Sequence, residues 1–252
     1  MNSRKTEEVN EAKLTDNGIM PFADKLHSMT EQDERLLLSA PAPVPGGAGF
    51  RGELLACERR NVTLNIVQKM GSLVDTFRVG AIVLNKEVEL SDGSQDVELT
   101  ILHIHKFYQE KVAYNSGVRP KTFDTLEEVK RNGGTIEWIN DEAPSYESVL
   151  RCTVLVKKPD GVDGGFTLSH GDHSYTLAEW YIRGVAFKTV GISLLSTIWQ
   201  MKLSGHSFSS VKWKLCTSRH KLNNGHSLVV PVLKNAGPHT DEFAEFTASL
   251  MA

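Results

Sequence analysis

The sequence predicts a mainly β fold with a few short helices, of the α+β class. From Gly49 onward, short runs of β-branched and aromatic residues alternate with turn residues such as Gly, Asn, Asp and Pro. This pattern is typical of strands joined by tight turns. Helical signals between the strands are confined to two short segments. We expect about five to eight strands to form an OB-like barrel, closed or partly open, with an inserted helix.

Seven segments have the composition of strands. They are Val62–Val67, Ala81–Leu84, Val97–Tyr108, Ser148–Lys157, Ser174–Phe187, Val211–Thr217 and His226–Leu233. Between the last two stand Asn224 and Gly225, which both tolerate positive φ and therefore predict a hairpin.

The two helical segments between the strands are Thr125–Arg131 and about Val190–Leu203. The first has Asp124 or Thr125 as its N-cap and Gly133 as its stop signal. Both are short enough to be insertions into a sheet.

The C-terminal residues predict a further helix. Thr240 is a good N-cap for a segment with acidic residues in its first turn, as the helix dipole prefers. Phe243, Phe246 and Leu250 form an apolar stripe along it. The stripe fits two interpretations, a helix docked on its own domain or an acidic, aromatic tail that binds a partner.

The chain divides into three parts. Residues 1–45 carry five basic and eight acidic side chains, and we interpret them as a mobile acidic tail with a short helix at Asp24–Leu38 and a Pro/Gly linker. Residues 46–239 form the OB-like β domain, and 240–252 form the acidic, aromatic C-terminal helix or tail. The oligomeric state is left open, a homo-oligomer included.

Net charge, cysteine content and hydrophobicity limit the classes of function that the chain can have. The 252 residues have a formal net charge of −3 and a pI of about 6.3, so any surface for nucleic acid must be local. Three widely spaced cysteines predict no disulfide framework. The sequence contains neither a long apolar run nor a signal peptide pattern, and we expect a soluble cytoplasmic protein without membrane contact.

Charge is sorted along the chain. The stretch Trp180–Thr240 contains six aromatic residues and eight lysines and arginines, but neither aspartate nor glutamate. Cationic side chains interleaved with aromatic rings are what single-stranded nucleic acid binds. The same cationic face would also suit an acidic protein partner, as in an inhibitor or a scaffold.

Alternation along the strands divides that stretch into roles. Trp213 is predicted to lie in the core, and Tyr181 to stack on a base. The predicted phosphate contacts are Arg183, Lys188, Lys212 and Lys214, extended by Arg219 and Lys221. A second basic and aromatic patch is predicted from Lys106, Tyr108, Lys111 and Tyr114, with Phe107 in the core.

The sequence evidence for a metal site is weak. His103, His105 and Glu110 reproduce half of a cupin metal motif, but the glycine before the first histidine and the second motif are missing. His170 with His173, and Cys216 with His220 and His226, lack the paired elements of a zinc clip. We therefore expect no cofactor. Since no nucleophile motif or phosphate loop is found either, we expect no enzymatic activity.

One resemblance adds to these expectations. The run from Gly49 to Glu53, the strand Asn61–Lys69 and the segment Asp75–Gly80 resemble the opening of a family of phage-encoded single-stranded-DNA-binding proteins. The resemblance implies an OB-like core, a role in DNA replication or recombination and, for a phage-encoded chain, the host cytoplasm. It also implies that Phe243 and Phe246 recruit replication or recombination proteins.

Overall fold

The structure is a computed structural model that describes residues 62–113, 116–222 and 225–251. The predicted N-terminal tail, its helix and the linker lie outside the described residues. So do Tyr114, Asn224 and the first part of the resemblance.

The described part of the chain is mainly β, with ten strands in a single curled sheet. The strands are β1 (Thr63–Ile66), β2 (Ile82–Leu84), β3 (Val88–Ser91), β4 (Val97–Glu110), β5 (Thr122–Phe123), β6 (Tyr146–Lys157), β7 (Leu168–His170), β8 (His173–Arg183), β9 (Val211–Lys221) and β10 (Ser227–Pro238). The described residues also form three α-helices: α1 (Leu126–Arg131), α2 (Ile192–Leu203) and α3 (Asp241–Met251).

The strand order along the sheet is β10-β9-β4-β6-β8-β1-β2-β3, with β5 and β7 as short additions to β4 and β8. Neighbouring strands are antiparallel except β1 and β8, which are parallel. The long strands β4, β6 and β8 lie at the centre. No helix in the described residues is long and apolar enough to cross a membrane.

Hydrogen bonds join the two ends of this strand order. The Thr217 hydroxyl on β9 donates to the carbonyl oxygens of Gly80 (3.0 Å) and Gly93 (3.2 Å). Gln68, just after β1, donates from Nε2 to the Val229 carbonyl on β10 (2.9 Å). Gly93 has φ +94°, and a Cβ there would collide with the Gly80 carbonyl. The sheet therefore curls until β1–β3 approach β9 and β10.

The inner face of the curled sheet is filled by apolar side chains and by α2. Leu99, Leu150 and Ile182 from the central strands are almost fully buried, and Ile198 from α2 packs among them. The predicted inserted helix is therefore confirmed. Trp213 is buried in this inner layer, and Phe107 is buried on the opposite face of the sheet. Both predictions of burial are confirmed.

Local signals placed the elements well. Thr125, one of the two predicted N-caps, caps α1, and the structure adds a capping box with Glu128. The Thr240 hydroxyl accepts from the Phe243 N–H at the start of α3. The strand predicted to reach Phe187 ends at Arg183, because Gly184 at φ +59° leads into a π-helical turn. The short strands β3, β5 and β7 were not predicted.

Replacing Thr217 with valine should destabilise the protein by about 1–3 kcal/mol, since the side-chain shape is kept while both hydroxyl hydrogen bonds across the sheet ends are lost. Urea unfolding followed by tryptophan fluorescence measures the change. Thr197→Val on α2, which removes a hydroxyl bonded only within its own helix, is the matched control. An equal loss of stability in the two variants would show that the Thr217 hydroxyl contacts do not hold the two ends of the strand order together.

Candidate nucleic-acid interface

The outer face of the central strands carries a polar patch that we call the central outer patch, formed by His103, His105, Arg151, Tyr181 and Arg183. Register places His105 on β4 opposite Arg151 on β6, and Arg151 opposite Tyr181 on β8. Arg183 follows Tyr181 by two residues, so both point to the same face. Three distant sequence segments are thereby brought together on one open surface.

Tyr181 is the exposed aromatic residue of this patch, with 42% of its surface accessible. In the next row of the same face, Phe107 and Val149 are buried, and the Phe107 ring stacks on His105. The predicted exposure of Tyr181 and its shared face with Arg183 are confirmed.

Hydrogen bonds and charge position the Tyr181 ring. Its hydroxyl donates to Glu179 Oε2 (2.6 Å). Burial and this bond raise the pKa of Tyr181, while Arg151 opposes the shift. The phenol is therefore neutral at physiological pH.

The two histidines differ in their partners. Burial lowers the pKa of His103, helped by His105 and Arg151. His105 Nε2 lies 3.0 Å from Asp124 Oδ1. The patch also carries two arginines, Arg151 and Arg183, and two carboxylates, Glu179 bonded to Tyr181 and Asp124 beside His105.

Lys212 and Lys214 lie on the same outer face but on β9. Lys214 is opposite Glu98 on β4 and opposite Lys234 on β10. Lys234 Nζ is 3.5 Å from Asp96 Oδ1. The acidic partners come from outside the charge-sorted stretch, so these lysines belong to a surface of mixed charge.

The remaining basic residues of the stretch face elsewhere. Arg219 and Lys221 have the opposite alternation to Lys212 and Lys214 along β9, and they lie at its exposed end. Lys188 is exposed on the π-helical turn. The eight basic residues therefore do not form one continuous track.

The second predicted patch needs correction. Tyr108 is only 4% exposed and packs with Val129 and Tyr146, so its predicted stacking role is wrong. The cause is a bulge in β4 between Ile101 and His103, which moves the following residues to the other face. Lys106 lies on this inner alternation, with Nζ 5.4 Å from the Tyr108 ring centroid.

Lys111 does reach the central outer patch. It follows β4, is exposed, and lines a cleft of about 360 Å³ that also contains Arg183 and Glu147. Tyr114 lies outside the described residues.

Helix α3 docks on the outer face and occupies part of it. Phe243, 6% exposed, packs with Leu102, Leu155 and Tyr175, and Phe246 packs against the same cluster. Their rings are therefore used by the domain itself, and in this position they are not available to a partner. Of the two interpretations of the apolar stripe, the structure shows the first, a C-terminal helix docked on its own domain.

Two histidine rings stack on the rings of Phe243 and Phe246. His239 stacks on Phe243 at 4.1 Å between centroids, and His170 stacks on Phe246 at 4.7 Å. His239 Nε2 also shares a 2.7 Å hydrogen bond with the buried Thr100 hydroxyl. Burial lowers the pKa of His239 to about 4, and Lys212 adds to the shift.

The candidate metal ligands are not assembled. His103 and His105 point to the outer face, whereas Glu110 has the opposite alternation and accepts from the Lys121 N–H. The cupin-like interpretation is therefore wrong for this triplet. Among the described residues no group of three His, Cys, Asp or Glu side chains is arranged to hold a metal.

Arg151 is the functional candidate that the sequence interpretation missed. It lies outside the charge-sorted stretch, in the alternating segment Val149, Arg151, Thr153 of β6. The alternation alone could have placed it on an outer face, but only the pairing with β4 and β8 puts it beside Tyr181.

Comparison of the chain with protein-family models, curated proteins and solved structures found no match.

Acid should weaken the fold through His239. Its pKa in the unfolded chain is near the ordinary value of about 6.5, so between that pH and about 4 the unfolded state binds more protons than the folded state. Stability is therefore full above about pH 6.5 and falls as the pH drops towards 4.

His239→Gln can keep the hydrogen bond to Thr100 but does not titrate. Between pH 7 and pH 5 we expect the wild type to lose about 1 kcal/mol more than this variant, after allowance for partial exposure of the ring to solvent. Urea unfolding at both pH values measures the difference. Parallel losses in the two proteins would show that His239 does not carry the pH dependence.

Proposed function

We propose that the protein binds single-stranded DNA through the central outer patch, without enzymatic activity and with low overall sequence preference. The observation that carries the proposal is the exposed Tyr181 ring beside Arg151, with Arg183 two residues further along the same strand. The resemblance of the sequence to phage single-stranded-DNA-binding proteins supports the same function, a role in replication or recombination, and an OB-like assignment of the curled sheet.

The patch offers the two interactions that single-strand binding uses. A base stacked on Tyr181 would contribute about 1–3 kcal/mol whatever its identity. Arg151 and Arg183 would neutralise phosphates on either side of that base, because Arg183 is about 7 Å from Tyr181 along β8 and Arg151 is on the neighbouring strand. Stacking and charge neutralisation carry little sequence information, which is why the preference is low.

The carboxylates in the patch have a supporting role. Glu179 accepts a hydrogen bond from the Tyr181 hydroxyl and so restrains the position of this exposed ring. Lys111, which shares a cleft with Arg183, extends the cationic path beyond β4. Lys212 and Lys214 would add longer-range attraction from β9.

Oligo-dT of a few tens of nucleotides should bind at low salt and dissociate as salt rises. Replacing Arg151 and Arg183 together with glutamine removes two phosphate contacts, which for a single strand should flatten the slope of log K against log salt by about 1.4. Quenching of tryptophan fluorescence, or fluorescence anisotropy of a labelled oligonucleotide, measures both effects.

The matched control replaces Lys130 and Arg131 with glutamine, since both are exposed basic residues on α1 and not in the patch. This variant should keep the wild-type slope. Absence of oligo-dT binding at low salt would refute the function. Equal slopes for the Arg151/Arg183 variant and the wild type would refute the location.

A further inference from the structure

A second feature lies where the curled sheet closes. A cleft of about 500 Å³, which we call the seam cleft, separates β1 and β8 on one side from β10 on the other. Its lining combines apolar and polar residues. They are Leu64, Asn65, Ile66, Gln68, Gln109, Trp180, Tyr181, Arg183, Val185, Ala186, Leu228, Val229, Val230 and Pro231.

Carboxamides are the most frequent polar side chains in the lining of the seam cleft. Three carboxamides, from Asn65, Gln68 and Gln109, come from β1, the turn after it and β4. Asn65 Nδ2 donates to the Thr63 hydroxyl (2.9 Å), and Gln68 Nε2 donates to the Val229 carbonyl. Because these NH₂ groups already donate within the protein, we assign the acceptor role toward a ligand to the two carboxamide oxygens.

Charge in the cleft is of one sign. Among the described residues of its lining, Arg183 is ionised and none is an aspartate or a glutamate. Apolar side chains from Leu64, Ala186 and Leu228 supply the remaining walls. The cleft thus suits a flat, partly apolar ligand that has N–H donors on its edge and a negative charge nearby.

We propose that the seam cleft binds one nucleobase of a bound single strand, with its phosphate held by Arg183. The cleft volume lies within the range of about 300–1,000 Å³ that small-molecule sites occupy. The amino or imide N–H groups of the base donate to the carboxamide oxygens, and Gln109 supplies both a donor and an acceptor. This inference rests on the proposed function, because Tyr181 and Arg183 belong to both the cleft and the central outer patch.

The arrangement has a consequence for how a strand would lie. Tyr181 stands at the boundary between the outer face and the cleft, so one base stacks on its ring while a neighbouring base turns into the seam. Carboxamides form specific hydrogen bonds with base edges. One position of an otherwise nonspecific strand is therefore held by base contacts in addition to phosphate contacts.

Thymidine 5′-monophosphate is the simplest probe, with ribose 5-phosphate as the control that lacks a base. In ¹⁵N–¹H spectra of the full chain, millimolar thymidine 5′-monophosphate should shift the amides of residues 64–66 and 228–230. Ribose 5-phosphate at the same concentration should leave them unchanged. Shifts of equal size from both compounds would overturn base binding and reduce the cleft to a phosphate site.

A matched pair of variants locates the site. Gln109→Ala should weaken binding of thymidine 5′-monophosphate about three- to tenfold, as expected for one lost hydrogen bond. It should weaken oligo-dT by a similar factor and leave its salt slope unchanged. Gln200→Ala, at an exposed position of α2, should change neither.

The outcomes separate this inference from the function on which it rests. Salt-dependent binding of oligo-dT without any response to Gln109→Ala or to the mononucleotide would refute the seam cleft and leave single-strand binding in place. Failure of oligo-dT to bind at low salt would refute both.

Discussion

The structure depends on the burial of one face of a long curled sheet around α2. Leu99, Leu150 and Ile182 occupy the inner face almost without solvent contact, and Ile198 completes the layer from the helix. This packing leaves no inner surface for recognition along the central strands. Polar chemistry is therefore confined to the outer face and to the seam where β1 and β8 approach β10.

Helix α3 then divides the outer face. The row formed by Thr100, Leu155 and Leu177 lies between the row of Lys214 and the row of His105, and α3 packs on this middle part. The lysines of β9 are thus separated from Arg151 and Tyr181, although all of them point away from the core.

Local sequence signals predicted the elements because they act over a few residues. The N-cap of α1, the Thr240 cap and the strand composition of β6 are of this kind, and all three elements are observed. The burial of Trp213 followed from alternation in the same way. Errors arose where one irregularity changed the alternation, as the bulge in β4 did for Tyr108.

The candidate site could be predicted only in part, because it is assembled by pairing between distant strands. Tyr181 and Arg183 stand in the charge-sorted stretch and were predicted. Arg151 was missed because its position beside them depends on the register of β6 with β8. The acidic neighbours of Lys214 and Lys234 could not be predicted for the same reason, since they are Glu98 on β4 and Asp96 just before it.

A single strand is proposed to lie across the outer face at Tyr181, and photochemical crosslinking tests this placement most directly. An oligonucleotide carrying 5-iodouracil is irradiated with the protein, and the crosslinked peptide is identified by mass spectrometry. Attachment of the oligonucleotide at Tyr181 is the expected result. Crosslinks confined to the far end of β9, around Arg219 and Lys221, would contradict it.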